Sequence, residues 1–352
     1  LISVSTNLIS PQKPWRPKLR NSAAEILGIL FTAISTLFIV AVSPLKGKLG
    51  FAVTLILVSL ITAATISWLR RDKKAAISSV SGVLVFVAAT LVLIPLISIL
   101  YEILRLGFGG LSWGIFTTDM SKTSADAPIA EGGLLHAIIG TVYLVVFATI
   151  ASAPIGFLTA LYIVEVKGRF AGTVRFFVQA MSGVPSIVAG LFIYAVWMIG
   201  LGNSYNAVAG AGALTILMIP TVARVSEEVL KLIPNDLREA GLALGATQWR
   251  TVGMIVLPAA KSGLVTAIIL GVARVAGETA PLLLTIGGSD QINWNPASGN
   301  NSAIPFYVWK NYSFGSEQAV ARAWLGILIL MILVFFLFSI ARYFGRMKDR
   351  AK

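Results

Sequence analysis

Arg274 and Glu278 stand four residues apart in the run ARVAGETAPLLLT, inside an apolar stretch that extends from 262 to 284. An ionisable side chain at the centre of a bilayer costs roughly 2.5 to 3.5 kcal/mol on insertion scales, so two of them call for a polar cavity or for each other. On a continuous helix the i, i+4 spacing places both on one face. Two chemistries follow. The pair is a salt bridge that neutralises itself, or the guanidinium faces a path, where its planar fork of donors fits a tetrahedral oxyanion. Gly277 lets a ligand or a neighbouring backbone approach between them, and Pro281, which lacks a backbone donor, is expected to kink the helix beside the pair.

Two other polar features sit within apolar stretches. Arg224 ends the run that passes Pro220, either as a basic anchor at the membrane face or as a second cation on the same path. The segment SGVPSIVAGL puts Gly183 and Pro185 inside a span, either as a packing kink among small residues or as a break that frees backbone groups beside a cavity. His136, the single histidine, heads another apolar stretch and reads as a helix-end residue. With no cysteine and one histidine, thiol chemistry and HExxH-type zinc sites are excluded, and no G-x-x-x-x-G-K-[ST] phosphate loop occurs.

The long polar-faced interruption is LREAGLALGATQWRTVGMIVLP, from Leu237 to Pro258. Asp236 is expected to cap a helix whose fourth position is Glu239, a capping-box arrangement. Gly245 supplies the left-handed position that ends a helix cheaply, and Thr247 caps a second short helix that Pro258 is expected to end. Helix, glycine corner, helix is either an ordinary interfacial loop or a docking element for a soluble partner.

The elements that carry these residues are membrane spans. Hydrophobic residues make up 57% of the 352 and charged residues 12%, against about 25% charged in soluble domains. Runs of about 20 apolar residues must be helices in lipid. The expected fold is an all-α polytopic membrane protein of about eight spans, near 24–42, 49–69, 77–104, 134–164, 176–200, 206–223, 262–284 and 322–343. The net charge of +13 follows topology rather than nucleic-acid binding. Lys and Arg concentrate on the N-terminal arm, at 70–74, 167–175, 224–261 and after the last span, which places both termini in the cytoplasm and a basic face against anionic headgroups. The first run is too long for a signal-peptide core and is read as half of a retained hairpin. The division expected is a basic arm and extra hairpin over 1–75, a six-helix body over 76–347 with a cytoplasmic element at 224–261, and a tail at 348–352.

The element over 237–258 resembles the loop of the membrane subunits of ATP-binding-cassette importers: Glu-Ala-Ala, three residues, Gly, nine residues, Ile, one residue, Leu-Pro. Here Glu239, Ala240, Gly241, Gly245, Ile255, Leu257 and Pro258 hold that spacing, with Gly241 in place of the second Ala. The resemblance implies a type I importer permease core whose coupling helix sits in a cleft of an ATPase subunit. ARVAGETAPLLLT, SGVPSIVAGLF, IPTVAR and Ile304 to Trp309 resemble the A-type permease family of the phosphate-specific branch, over 76–347.

By that likeness Arg224 and Arg274 matter for phosphate translocation, and Glu278 lies beside them. As a carboxylate, Glu278 would accept a hydrogen bond from the proton that phosphate keeps near neutral pH and would repel sulfate, which has none. The resemblance also implies a non-enzymatic transport subunit in a bacterial or archaeal cytoplasmic membrane. Its partners would be a sister C-type permease, two ATPase subunits that bind ATP and Mg, and an extracytoplasmic phosphate-binding protein. No cofactor would reside in this chain. Phosphonate, sulfate or molybdate import shares the cytoplasmic pattern, and ATP-independent anion transport is the reading from a different class.

Overall fold

The computed structural model describes residues 19–44, 47–70 and 72–347. The basic arm before residue 19 and the tail 348–352 lie outside the described residues. Thirteen α-helices run in chain order: α1 Leu19–Val42, α2 Lys48–Arg70, α3 Lys73–Gly107, α4 Leu135–Leu161, α5 Ala171–Ser182, α6 Ser186–Ile193, α7 Ala207–Lys231, α8 Asn235–Ala243, α9 Gln248–Thr251, α10 Leu257–Ala276, α11 Ala280–Leu283, α12 Ile304–Phe314 and α13 Glu317–Met347. Among the described residues β structure is confined to one isolated bridge, Gly287 to Asn301.

Among the described residues six helices are each long and apolar enough to cross a bilayer, and α5 with the helical stretch from Ser186 to Gly200 forms an apolar pair bent by 101°, a broken span or a re-entrant loop. The apolar part of α1, Ile26–Val42, is shorter. Each of the eight expected runs thus falls on helix, with six or seven long enough to cross among the described residues, yet two differ from the sequence reading. The run expected as one span over 176–200 breaks at Gly183–Pro185, where α5 closes on Gly183 and Pro185 leads into α6. Proline disfavours helical geometry in the residue before it, and its ring removes a donor, so the helix must restart. The span expected to reach 284 ends at Ala276, capped by Gly277, and α11 is a separate turn with Pro281 in its first positions.

The chain divides into two compact units, Leu1–Leu100 and Tyr101–Lys352, so the division falls within α3. In the first, α1 and α2 pack as a hairpin. Thr36, Thr54 and Thr62 are buried there, and the hydroxyls of Thr36 and Thr54 are satisfied by the carbonyl one turn back. Small and hydroxylated seams of this kind let helices approach closely in lipid.

In the second unit α4, α7 and α10 form the centre. Leu144, Ala148, Leu214, Met218, Val222 and Val275 make one buried cluster. The helices meet at glycines: a Cβ on Gly156 would stand 2.9 Å from Val222 Cβ, and one on Gly271 would stand 2.8 Å from Met218 Cε. The loops between α3 and α4 and between α11 and α12 are tied together by Met120 N on Asp290 O at 3.0 Å and Ile292 N on Asp119 Oδ2 at 3.2 Å, and a second buried cluster gathers around Leu134, Tyr307 and Leu325. Arg322 of α13 anchors the loop between α3 and α4. It is 1% exposed and donates to the carbonyls of Ala127, Pro128 and Glu131 at 3.1, 2.8 and 2.9 Å, so a loop without regular structure is held by one buried cation. His136 is buried beside it at the head of α4, its ring edge-on to Tyr307 at 5.7 Å.

Candidate translocation and coupling sites

Arg274 occupies the last turn of α10 and is exposed on the isolated chain. Its Nη1 donates to Thr221 Oγ1 of α7 at 3.3 Å. The helix ends between Arg274 and Glu278, so the two do not share a helical face, and no ion pair joins them among the described residues. Glu278 lies in the turn, half-buried, with its backbone N–H on Val275 O at 3.2 Å. The self-neutralising pair is therefore absent, and the reason is local. Gly277 closes the helix before Glu278 can complete another turn.

Arg224 follows Thr221 by three residues on α7, one helical turn and about 4.5 Å along the axis, so Thr221 and Arg224 lie on the same side of that helix. Arg224 is exposed and pairs with Glu228 one turn further on, at 3.5 Å. The helices that follow the two breaks, α6 and α11, pack on each other. A Cβ on Gly190 of α6 would stand 2.6 Å from Pro281 Cα and 2.9 Å from Pro281 O, so α6 and α11 touch backbone to backbone. Of the residues expected at the breaks, Pro281 alone is brought against α6, and Gly190, not singled out from the sequence, is the contact point.

At the end of the bundle expected to face the cytoplasm α8 runs Asn235–Ala243 with Pro234 at its N-cap and no side-chain cap, so Asp236 sits in the first turn and not in the cap position. Gly245 adopts φ +80°, and Thr247 Oγ1 accepts from Arg250 N at 3.4 Å to start α9. Pro258 does not end this leg. The helix passes from α9 through a π-helical turn, Val252–Val256, into α10, where Pro258 occupies the first positions. There a missing donor costs little, because the wider turn before it has already shifted the hydrogen-bond register. The second leg is therefore the beginning of the span itself.

Gly241 is buried where α8 crosses this leg. A Cβ there would come within 2.8 Å of Ile255 Cδ1 and 2.9 Å of Thr251 Cγ2. Glu239 and Ala240 are exposed, as are Leu237, Leu242, Leu244, Trp249 and Met254, with Leu244 at 89%. An apolar patch on a polar cytoplasmic corner is the mark of a surface meant to be covered.

One part of the corner escaped sequence reasoning. Arg238 of α8 pairs with Glu165 at the end of α4, Nη2 to Oε1 at 2.7 Å, and the two side chains are 18% and 6% exposed. Nothing in the spacing links residues 73 apart; the only signal is a carboxylate at the end of an apolar span. A second network joins Arg175 and Lys231 to the buried Glu227 at 2.9 and 2.5 Å. Among the described residues no group of three or more His, Cys, Asp or Glu is placed to hold a metal ion.

Membrane-crossing helices broken at glycine and proline, a span-borne arginine, and a cytoplasmic helix corner with an apolar face define a multi-pass transport permease subunit. The family described as Binding-protein-dependent transport system inner membrane component matches residues 152–349. Among curated proteins the chain is 37% identical over 258 residues to "Phosphate transport system permease protein PstA 1" of Mycobacterium tuberculosis H37Rv, covering 73% of this chain and 83% of that one. It is 38% identical over 233 residues to the PstA protein of Haemophilus influenzae, covering 63% and 80%. A further relative, the probable PstA protein of Methanocaldococcus jannaschii, is 30% identical over 271 residues, covering 77% and 94%. Among solved structures an inward-facing MetNI methionine ABC transporter aligns with a TM-score of 0.46 at 22% identity, over 62% of this chain and 94% of that one. The chain belongs to the binding-protein-dependent inner membrane component family, in its PstA phosphate transport system permease branch.

Proposed function

We propose that this chain forms half of the translocation path of an ATP-driven phosphate importer in a bacterial or archaeal cytoplasmic membrane. The other half is a sister C-type permease. Two ATPase subunits, which carry the ATP and Mg, grip the cytoplasmic corners, and an extracytoplasmic binding protein delivers phosphate. The chain itself performs no catalysis and holds no cofactor.

The observation that supports this reading is Arg274. A guanidinium at the end of a spanning helix, with a hydroxyl partner and no ion pair among the described residues, is available to a passing anion. Arg224, one turn beyond Thr221, offers a second cation toward the cytoplasm. Contact with weakly held, exposed arginines offsets the anion's charge while it is dehydrated and does not trap it. Glu278 stands at the break to test for a protonated oxyanion. ATPase closure moves the corner, the corner moves the spans, and the path opens alternately to each side.

The experiment is to purify the four-component complex and measure ATPase activity with the binding protein loaded with phosphate, sulfate or molybdate. Stimulation by the phosphate-loaded form supports the reading. Stimulation by sulfate or molybdate alone assigns a different oxyanion, and anion flux through this chain alone without ATP would place it among secondary transporters.

A further inference from the structure

We infer that Glu165 is the point at which motion of the cytoplasmic corner is passed to α4, a helix to which the corner is not joined in sequence. This rests on the importer reading above and specifies how its corner acts on the path. By chain continuity alone α8 and α9 would push only on α7, through 232–234, and on α10, through the π-helical turn. A third connection is made by Arg238 and Gln248, beside the apolar cluster that holds Ile163, Val164, Val252 and Val256 together. Arg238 gives Nη2 to Glu165 Oε1 at 2.7 Å and Nε to both carboxylate oxygens at 3.2 Å. The same guanidinium donates to Ile233 O at 2.6 Å and Leu230 O at 2.9 Å. One cation thus ties α8, the end of α7 and the end of α4 together.

The other leg of the corner grips the same residue. Gln248 Nε2 donates to the Glu165 carbonyl at 2.6 Å. That carbonyl is open to it because the chain leaves the π-helical turn Tyr162–Val166 at Lys167, with φ 50°. Lys167 is the one non-glycine residue in the left-handed region among the described residues, and such a conformation persists where its surroundings hold it. Glu165 is therefore clamped by α8 through its carboxylate and by α9 through its backbone. The pair is largely out of water, where charge-assisted bonds are stiff and directional.

From the clamp, α4 leads to the stretch of α7 between Thr221 and Arg224. Gly156 lies nine residues, about 14 Å of helix, from Glu165, and a Cβ there would meet Val222 Cβ at 2.9 Å and Ala223 N at 3.0 Å. Those two residues sit between Thr221 and Arg224 in α7. A shift of the corner is thus delivered to the Thr221 to Arg224 turn through α4 as well as along α7, and Glu165 acts as a positioning residue for the path.

The test uses the complete complex in proteoliposomes and reads phosphate taken up per ATP hydrolysed, a ratio that does not depend on how much complex assembles. For Glu165→Gln and Arg238→Gln the ratio is expected to fall about fivefold or more, the lower range of coupling between sites. The double variant should be no worse than either single one, because both remove the same link. Gln248→Ala, which leaves the buried charges paired, should lower the ratio in the same direction and carries the test if a single charge variant fails to assemble. Ratios unchanged within about twofold across the assembled variants would overturn the proposal and leave the clamp as a staple. Wild-type complex without ATP-driven phosphate uptake would instead overturn the importer reading.

Discussion

Arg274 reaches across from α10 to donate to Thr221 on α7 at 3.3 Å, and the helix that carries it ends two residues later. The arginine is held by a hydroxyl, and its charge is left for something else. Thr221→Val removes that partner while keeping the volume. Phosphate uptake by the assembled complex should drop about fivefold, the scale of one hydrogen bond worth roughly 1 kcal/mol. Undiminished uptake would show that the contact does not position Arg274.

Glu278 stands in the turn after α10 and is not paired with Arg274. A carboxylate at that place can accept a hydrogen bond from a protonated oxyanion and oppose an unprotonated one. Competition uptake with Glu278→Gln should show sulfate inhibiting phosphate transport more strongly than in the wild type. The same sulfate sensitivity before and after the change would remove Glu278 from selectivity.

The exposed face of the corner separates docking from folding. Leu244, 89% exposed, and Trp249 touch little within the chain. Replacing Leu244 with Ser should leave the permease's thermal stability within about 0.5 kcal/mol, as for surface changes elsewhere, and should reduce co-purification of the ATPase subunit. Retained co-purification at stringent salt would mean that the partner binds another surface.

Gly190 meets the backbone of Pro281, which has no flexible end to give way. Gly190→Ala should destabilise the permease by about 1 to 3 kcal/mol, the range for overpacking, seen as a lowered melting temperature in detergent. Gly241→Ala faces only the Ile255 and Thr251 side chains, which can turn aside, and should cost less. Equal melting temperatures for the Gly190 variant and the wild type would refute the close approach of α6 and α11.

Much of this arrangement is written locally. Apolar runs give the passages because lipid leaves a long apolar segment no other choice, and Gly245 with Thr247 gives the corner because each residue favours one backbone state. Where a second influence competes, the pattern misleads. Pro258 reads as a stop, yet a π-helical turn carries the chain past it. Arg274 and Glu278 read as helical neighbours, yet Gly277 ends the helix between them. The run over 176–200 reads as one span because its composition is uniform, although Gly183 and Pro185 bend it by 101°. The Glu165 to Arg238 clamp left no more trace than a carboxylate at the end of an apolar span, since its partners meet only after α4, α7 and α8 have packed.

The most direct measurement is ATP-driven uptake of radiolabelled phosphate into proteoliposomes holding the complete complex, with Arg274 replaced by Lys. Lysine keeps the charge and loses the planar fork. The account predicts uptake reduced by about tenfold or more, the effect of losing roughly 1.4 kcal/mol at the path, with assembly unchanged. Uptake equal to the wild type would contradict the assignment of Arg274 as the anion's contact in the membrane.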